Sequence, residues 1–410
     1  MYFGYLCCSY QERNRTLYFF PVSLSVGDTM NISKFVIPEV IFGSGSLQHI
    51  GESVAGSGAS KVLLVTDKGL LEAGWIDKTV SRIEGAGVDF EVFSELSSNP
   101  KDKEVSQALA RYQRSGCDAV VAVGGGSCAD LAKVVAMLST NPGTLSDYEG
   151  INKIHQPLPP IIIVPTTAGT GTEVTQFARI VNTRRRLKMF FVSRSLIPDI
   201  AVIDPDLLTT VSPRLAATTG IDALAHAIEA FVSLAATPLT DLHALNAIKL
   251  VFANLRQAVV DRHNPRLNSN MALASLNAGI AFSNAILGAN HAMTHQVGGL
   301  MDTHYGEANA ILLPHVMKFN LPDCRPRFQQ VARAMGEAGP DETDPSAEQA
   351  IEAVINLVAD IGLKQSLRDL GLSEDQLQRL TDNVMKDACI ATNPRPATPE
   401  DIAELFRKAL

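Results

Sequence analysis

Residues 119–133 read "AVVAVGGGSCADLAK", an apolar β-branched run followed by three glycines, a serine and a helical pattern. Such an apolar run is typical of a buried parallel strand. Glycines at its end let the backbone approach a ligand, and the N-terminus of the next helix attracts an anion. The stretch therefore predicts a strand–turn–helix unit that could bind a pyrophosphate. Its spacing is not G-x-G-x-x-G, and a tight structural turn would explain it equally well.

Other apolar runs alternate with helical patterns along the first half of the chain: "KVLLVTD" (61–67), "DFEVFSEL" (89–96), "PPIIIVP" (159–165) and "DIAVIDP" (199–205). This alternation indicates a mainly parallel sheet with helices on both faces. From about residue 213 only helical periodicity remains. The sequence therefore predicts an α/β fold, with a Rossmann-like dinucleotide-binding domain over residues 30–212 and an all-helical domain over residues 213–410. We expect residues 1–29 to be an extension without function.

Composition excludes several classes of protein. A chain of 410 residues suggests two domains. The net charge of −8 argues against nucleic acid as a partner, and the cluster Arg184, Arg185 and Arg186 is interpreted as a solvated turn. Six cysteines without a CxxC pair suggest reduced thiols and a cytoplasmic location. No apolar stretch is expected to approach the roughly 20 residues that span a bilayer.

A second loop supports a nucleotide site. "PTTAGTGTEVT" (165–175) places hydroxyls and two glycines at another strand end. Ligands of parallel sheets bind outside the carboxyl ends of the strands, so two such loops favour a dinucleotide over two coincidental turns. Asp67 ends "LLVTD", where a carboxylate could hold ribose hydroxyls and repel a 2′-phosphate, which favours NAD over NADP. The alternative for Asp67 is a plain helix N-cap.

Aspartate and histidine recur at helical spacing in the second half. Asp222 and His226 are four apart in "GIDALAHAIEA" (220–230), and His291 and His295 repeat that spacing in "LGANHAMTHQVGG" (287–299). Residues four apart share a helix face, and such polar groups are expensive to bury unless they coordinate something. A lone helical histidine is more often a structural group. Two such pairs in one helical domain favour a metal site.

These motifs make the chain recognisable as a relative of a known family. From residue 34 to the C-terminus it resembles the iron-containing, group III alcohol dehydrogenases, through "VGGGS…D..K", "PTTAGTGTEVT", "GIDALAHAIEAF", "GANHAMTHQVGG" and "GEANAILLPHVMKFN". The subgroup that it most resembles includes alcohol-dehydrogenase-like proteins linked to ethanol-oxidation regulation, with lactaldehyde reductases as near relatives. The resemblance implies a divalent iron between a dinucleotide-binding domain and a helical domain.

The resemblance also implies roles for particular residues. Asp222, His226 and His291 match metal ligands, and His295 matches a histidine that could relay a proton from the alcohol. The expected cofactor-binding residues lie at the ends of the predicted strands and in the loops that follow: Asp67, Asn99, Gly124, Gly125, Gly126, Ser127, Asp130, Thr166, Thr167, Thr170, Thr175 and Lys188.

The chain departs from the family at the fourth metal ligand. Where the family has proline-histidine-glycine, this chain has His304, Tyr305 and Gly306, so Tyr305 falls in the ligand position. A phenol with a pKa of about 10 is a poor ligand for Fe²⁺, and the adjacent His304 does not share a face with Tyr305. Three protein ligands with a water, ligation by His304, ligation by tyrosinate, and weak binding all stay open. Zn²⁺ or Ni²⁺ would also suit Asp/His ligands.

The function expected from this resemblance is metal-dependent, NAD(H)-linked interconversion of a short primary alcohol and its aldehyde by hydride transfer. Tyr305 motivates an alternative, a regulatory or impaired homologue that keeps the fold. The expected partners are a small alcohol or aldehyde substrate and a second copy of the chain in a homodimer or larger assembly, with no nucleic acid and no membrane.

Overall fold

The computed structural model of the chain describes residues 34–185, 187–301, 305–337 and 345–410. The extension expected at residues 1–29 and the alternative ligand His304 lie outside the described residues. The strands, in chain order, are β1 (Glu39–Phe42), β2 (Lys61–Val65), β3 (Asp89–Phe93), β4 (Ala119–Gly124), β5 (Gly150–Ile151), β6 (Ile161–Pro165), β7 (Phe177–Asn182), β8 (Leu187–Val192) and β9 (Ile200–Ile203).

Six of these strands form one parallel sheet in the order β1-β9-β6-β4-β2-β3. The chain runs outward from β2 to β3 on one side and from β4 through β6 to β9 on the other. The order therefore reverses between β2 and β4, which is where parallel sheets of this kind bind ligands. Four of the six strands lie within the apolar runs at residues 61–67, 89–96, 159–165 and 199–205, and β4 lies within the opening stretch, so the predicted sheet is confirmed.

Both faces of this sheet are covered by helices, as predicted. The helices of the N-terminal part are α1 (Ile50–Gly56), α2 (Lys68–Glu72), α3 (Trp75–Gly85), α4 (Asp102–Ser115), α5 (Gly126–Thr140) and α6 (Leu145–Tyr148). Leu63 and Val120 pack with α4 and α5, whereas their neighbours Val62 and Val121 pack with α1 and α3. Side chains alternate between the faces of a strand, so an unbroken apolar run produces two cores.

A second, smaller sheet is absent from the predicted elements. It has the order β5-β8-β7, with β7 and β8 antiparallel. Arg184 and Arg185 lie in the turn between these two strands, and Arg185 pairs with Glu149. The interpretation of this basic cluster as a surface turn therefore agrees with its described residues.

Within the described residues from 213 onward every regular element is helical, which confirms the predicted all-helical character. The α-helices are α7 (Pro213–Val232), α8 (Pro238–Val260), α9 (Pro265–Ala285), α10 (Ala289–Met301), α11 (Tyr305–Met335), α12 (Ala347–Asp360), α13 (Leu377–Val384) and α14 (Pro399–Ala409). Cys324 has non-helical backbone angles inside α11, which is therefore bent there. The boundary between residues 212 and 213 stays a prediction.

Helix α7 corrects one expectation. By length and composition it could cross a membrane, whereas no stretch of that kind was expected. The bent pair of α9 and α10, which meet at 105°, passes the same test only if the two helices are counted as one span. In the structure 89% of the apolar window of α7 is buried, and Ile221, Leu224 and Phe231 pack in the core with α8 and α9. The core helix of a globular protein has the same apolar character as a membrane span.

Candidate metal and cofactor site

Helices α7 and α10 bring together the three predicted metal ligands. Asp222 Oδ1 lies 3.9 Å from His226 Nε2 and 3.7 Å from His291 Nε2, and one ligand atom from each residue lies within 4.8 Å of the others. The two imidazole rings are stacked with centroids 4.4 Å apart. The three residues are only 5%, 3% and 1% exposed. A carboxylate and two imidazoles are thus buried around one point.

The second nitrogen of each imidazole in this trio has a fixed partner. His226 Nδ1 is 3.2 Å from the carbonyl oxygen of Gly169, and His291 Nδ1 is 2.5 Å from Glu229 Oε2. Because both partners are acceptors, Nδ1 carries the hydrogen in each ring and Nε2 faces Asp222. Histidines that ligate metals are held in this way, so the two rings are oriented for metal binding.

Glu229 is a functional residue that the sequence analysis missed. Its carboxylate also accepts the backbone N–H groups of Asn290 at 2.7 Å and His291 at 3.1 Å. It therefore caps the start of α10 while it orients the His291 ring. Glu229 is 3% exposed and lies seven residues, or two turns, after Asp222 on α7. That spacing on an apolar helix was the available signal.

Asn309, also missed, fixes the carboxylate of the trio. Its Nδ2 donates to Asp222 Oδ1 at 2.6 Å and lies 3.3 Å from His291 Nε2. Its Oδ1 accepts from Thr294 Oγ1 and from Asn290 Nδ2, each at 2.8 Å. Both ends of the Asn309 amide are therefore hydrogen-bonded. The two donors at one end require the oxygen there, and this fixes the Nδ2 group toward Asp222.

The charges of the trio suit a cation. Burial lowers the pKa of His226 to about 3, so this imidazole is neutral. Burial alone would raise the pKa of Asp222, but His226 and His291 lower it below its usual range. Burial likewise opposes protonation of His291, but Asp222 and Glu229 on either side of the ring raise its pKa to about 9. A divalent cation could replace that proton between the same atoms, so the donor set fits a metal.

A cleft of about 490 Å³ begins beside this trio and reaches the carboxyl ends of β2 and β4. Asp222 lines it, and so does Thr210, whose hydroxyl accepts the indole N–H of Trp75 at 3.3 Å. The wall also contains ten of the predicted cofactor-binding residues: Asp67, Asn99, Gly125, Gly126, Ser127, Asp130, Thr166, Thr167, Thr170 and Lys188. One cavity therefore brings together the two loops and a member of the metal trio.

The loop of residues 124–127 (the glycine loop) and the loop of residues 165–175 (the threonine loop) touch each other. A Cβ atom on Gly126 would lie 3.0 Å from Thr170 Cγ2, and one on Gly124 would lie 2.3 Å from Cys128 Sγ. Gly124 is packed beneath the loop and is not on the cavity wall. The remaining loop residues leave the N-terminus of α5 without a side-chain cap, as an anion site requires.

The structure shows Asp67 as a helix N-cap on the wall of the cleft, and its predicted contact with ribose hydroxyls stays a prediction. Its Oδ1 accepts the backbone N–H of Leu70 at 3.0 Å, which makes it the N-cap of α2, and it also lines the cleft.

Thr175 lies away from the cavity wall. Its carbonyl oxygen accepts from Lys133 Nζ at 2.6 Å, and its Oγ1 lies 3.2 Å from the same nitrogen. Lys133 is fully buried and also donates to the carbonyl oxygens of Thr172 and Phe177. Thr175 thus helps to enclose a buried ammonium that anchors the threonine loop to α5, and its predicted cofactor contact has no support from this placement.

His295 shares a helix face with His291 but has different partners. Its Nδ1 lies 2.9 Å from Asp387 Oδ2, and its ring packs against Phe190 and edge-on against Tyr305, at centroid distances of 4.7 and 5.7 Å. It is not among the residues that line the cleft. The predicted proton-relay residue therefore lies behind Tyr305.

Tyr305 turns its hydroxyl toward the cofactor residues. Lys188 Nζ donates to the Tyr305 hydroxyl and to Asn99 Oδ1, each at 2.7 Å, and the guanidinium carbon of Arg179 lies 4.7 Å from the centre of the phenol ring. Burial raises the pKa of Tyr305 above its usual range, so the phenol is neutral. Among the alternatives for the fourth position, tyrosinate ligation is the least compatible with this geometry.

Comparison with known proteins identifies the family of the chain. Residues 38–205 match the family model "Iron-containing alcohol dehydrogenase", and residues 216–410 match "Fe-containing alcohol dehydrogenase family, C-terminal". The chain is 44% identical over 379 residues to 1,3-propanediol dehydrogenase of Citrobacter freundii, covering 92% of this chain and 98% of that protein. It is 36% identical over 377 residues to the NAD-dependent methanol dehydrogenase of Bacillus methanolicus, covering 92% and 99%.

Solved structures show the same fold. The crystal structure of a 1,3-propanediol oxidoreductase superposes with a TM-score of 0.89 at 42% sequence identity, covering 93% of this chain and all of that chain. These relatives are named as enzymes, and they give no specific support to the regulatory alternative. With family models over both parts of the chain and relatives that match nearly their whole length, the chain belongs to the iron-containing alcohol dehydrogenase family.

Proposed function

We propose that the protein is a metal-dependent NAD(H) oxidoreductase that interconverts a short primary alcohol and its aldehyde. One observation carries the proposal: Asp222 belongs to the buried trio of metal-ligand type and lines the same cleft as the glycine and threonine loops. A cation and a dinucleotide could therefore meet a substrate in one cavity.

Two parts of the cofactor are assigned to residues at the carboxyl ends of β2 and β4. The backbone of Gly125, Gly126 and Ser127 at the N-terminus of α5 would hold the pyrophosphate, and Asp67 would hold the ribose hydroxyls of the adenosine. The carboxylate of Asp67 would repel a 2′-phosphate, which supports NAD over NADP. The name of the NAD-dependent relative is consistent with this choice.

Asp222, His226 and His291 would hold the metal, which we assign as Fe²⁺ from the family, and Zn²⁺ would suit the same donors. When bound, a divalent metal supplies Lewis acidity at the substrate oxygen. Glu229 and Asn309 keep the three donors in place. We assign the fourth position to water or substrate, because the Tyr305 hydroxyl is bonded to Lys188.

When bound, NAD⁺ would supply the acceptor for the hydride of the carbinol carbon, and the protein would have to accept the proton of the alcohol's hydroxyl group. The Nδ1 hydrogen of His295 is directed to Asp387, so its Nε2 is the atom that can accept this proton. Because His295 lies behind Tyr305, the proton reaches it through an intervening hydroxyl or water. The small substrates in the names of the relatives, 1,3-propanediol and methanol, support a short alcohol.

The test is an anaerobic assay of the full chain with Fe²⁺ and NAD⁺, in which NADH absorbance is followed with ethanol, propanol, butanol and 1,3-propanediol. Metal-dependent NADH formation is expected, and Asp222→Asn should abolish it because the trio loses its only carboxylate. Turnover that is unaffected by metal removal or by Asp222→Asn would contradict the proposal. Sedimentation of the same preparation tests the expected homodimer.

A further inference from the structure

Arg179 is a positively charged residue on the wall of the cleft, as is Lys188, and the proposed function gives Arg179 no role. It lies on β7 and lines the cleft with its side chain 18% exposed. Its Nε lies 3.4 Å from Asp130 Oδ2, and one face of the guanidinium packs on the Tyr305 ring. The side chain is thus fixed between α5 and α11.

The outer nitrogens of this guanidinium are available to a ligand. No described residue accepts a hydrogen bond from either Nη atom of Arg179, and neither atom is among the buried, unsatisfied groups of the described residues. Both Nη atoms therefore have solvent-exposed surface, and Arg179 is part of the cleft wall. A guanidinium held at Nε presents the planar pair of donors that binds a carboxylate with two parallel hydrogen bonds.

Tyr305 adds a neutral donor beside this fork. Its hydroxyl oxygen accepts from Lys188, and no described residue accepts its hydrogen. Tyr305 lies one turn before Asn309 on α11, and Asn309 bonds to Asp222 of the metal trio. The donors of Arg179 and Tyr305 therefore lie at the end of the cleft where the substrate would react.

The charges at this end of the cleft also favour an anion. The charged groups on the wall there are Arg179, Lys188, Asp130 and Asp222. Asp130 is paired with Arg179, and Asp222 belongs to the metal trio. Lys188, which bonds to the Tyr305 hydroxyl, therefore places a further positive charge beside Arg179.

From this arrangement we propose that the substrate carries a carboxylate, which binds to the Nη groups of Arg179 with the Tyr305 hydroxyl as a further donor. The substrate class is then an aldehyde acid and the corresponding hydroxy acid. This inference rests on the proposed function for the reacting end of the molecule, but the anion site stands on its own contacts.

Two measurements on the metal-loaded protein with NADH test the inference. The first is the ratio of kcat/KM for succinic semialdehyde to that for butanal, which has the same number of carbons without the carboxylate. The second is calorimetric titration with butanoate and with its uncharged amide, neither of which can react. The wild type should prefer each carboxylate by about 10- to 100-fold.

Variants assign this preference to the arginine. Arg179→Leu should abolish the preference in both measurements, and Arg179→Lys, which keeps the charge at the Asp130 pair but loses the fork, should reduce it. Arg194→Leu, at an exposed arginine outside the cleft wall, should leave the preference unchanged.

Equal binding of butanoate and butanamide to the wild type would overturn the inference. So would Arg179 variants that weaken NADH binding while the carboxylate preference persists, because the arginine would then hold the cofactor. If neither aldehyde is reduced but butanoate binding depends on Arg179, the proposed function fails and the anion site remains.

Discussion

At the scale of single residues, Tyr305 is the point at which this chain departs from the metal-ligand pattern of the family that it resembles. It occupies the position where the resemblance leads us to expect a histidine ligand, and its hydroxyl bonds to Lys188 while its ring supports Arg179. The substitution removes a metal donor and adds a neutral hydroxyl to the substrate end of the cleft. A metal held by three protein ligands, with the Tyr305 hydroxyl directed to the substrate, would fit both effects.

Tyr305→His should increase metal affinity, because an imidazole would then complete the donor set. We expect the dissociation constant for Co²⁺, used in place of air-sensitive Fe²⁺, to fall by roughly tenfold or more, the scale on which ligand surroundings alter affinity. Competition with a chelator measures it, and Tyr305→Phe is the matched control with no new donor. Equal affinities of the His and Phe variants would show that the phenol position does not face the metal.

Glu229→Gln should weaken metal binding although Glu229 does not itself belong to the ligand trio. The amide keeps the size of the side chain but loses the charge that orients His291 and caps α10. The expected loss in affinity is about 10- to 100-fold. The same chelator competition applies, with the exposed Glu52→Gln as control, and an unchanged Co²⁺ affinity would show that His291 needs no carboxylate partner.

The sequence predicts the candidate metal ligands better than the residues that hydrogen-bond to them and hold them in place. Spacing of four residues on apolar helices pointed to Asp222, His226, His291 and His295, because helix geometry is local. The family resemblance then singled out the first three as metal ligands, and that assignment stays a prediction. Asn309 bonds to Asp222, which lies 87 residues away in the chain, and Arg179 pairs with Asp130, which lies 49 residues away. No local sequence pattern indicates contacts between residues so far apart. His295 had the right spacing, but its partner Asp387 lies 92 residues away.

At the scale of elements, the break between α9 and α10 positions the metal trio. Ile286 has φ of +61°, an unusual conformation for a β-branched residue, and the chain turns by 105° there. Gly288 follows, where a Cβ atom would lie 2.8 Å from Glu229 Oε1. The strained corner lets α10 begin directly against Glu229, which brings His291 to Asp222. Such strain is commonly found at functional sites.

A close contact between α9 and the threonine loop should be sensitive to a single methyl group. In Gly279→Ala the new Cβ would lie 2.7 Å from Val174 Cγ2 and 2.9 Å from Gly171 Cα, so the free energy of unfolding should fall by about 1 to 3 kcal/mol. In Gly299→Ala on α10 the new Cβ would have no neighbour within 4 Å, so the higher helix propensity of alanine should raise the free energy of unfolding by up to about 1 kcal/mol. Urea unfolding measures both variants. An unchanged free energy of unfolding in Gly279→Ala would mean that the threonine loop moves to make room for the methyl group.

Element prediction succeeded where burial is uniform and failed where it is mixed. The central strands are buried on both faces, so β4 reads as a continuous apolar run. Strands β7 and β8 alternate buried and half-buried residues and include Arg179 and Lys188, which hides them among loop-like sequence. The short edge strand β1 has only four residues, none of them fully buried, and was missed for the same reason.

At the scale of the whole molecule, the buried trio should couple metal binding to folding. Separating Asp222, His226 and His291 requires α7 and α10 to part, so the metal should bind the folded chain far more tightly than the unfolded chain. At a free concentration one hundred times the dissociation constant, stabilisation should be about 2.7 kcal/mol. Thermal unfolding with and without Co²⁺ measures it, with Asp222→Asn as the variant that should not respond. A shift of the same size in Asp222→Asn would locate the metal elsewhere.

The single tryptophan of the chain has a practical consequence. Trp75 is tied through its indole N–H to Thr210 on the wall of the cleft. Reduced nicotinamide absorbs where indole emits, so light absorbed by Trp75 should pass to a dinucleotide seated in the cleft. The fluorescence of Trp75 should therefore report whether a dinucleotide is bound, without an added dye and with no other indole emitting.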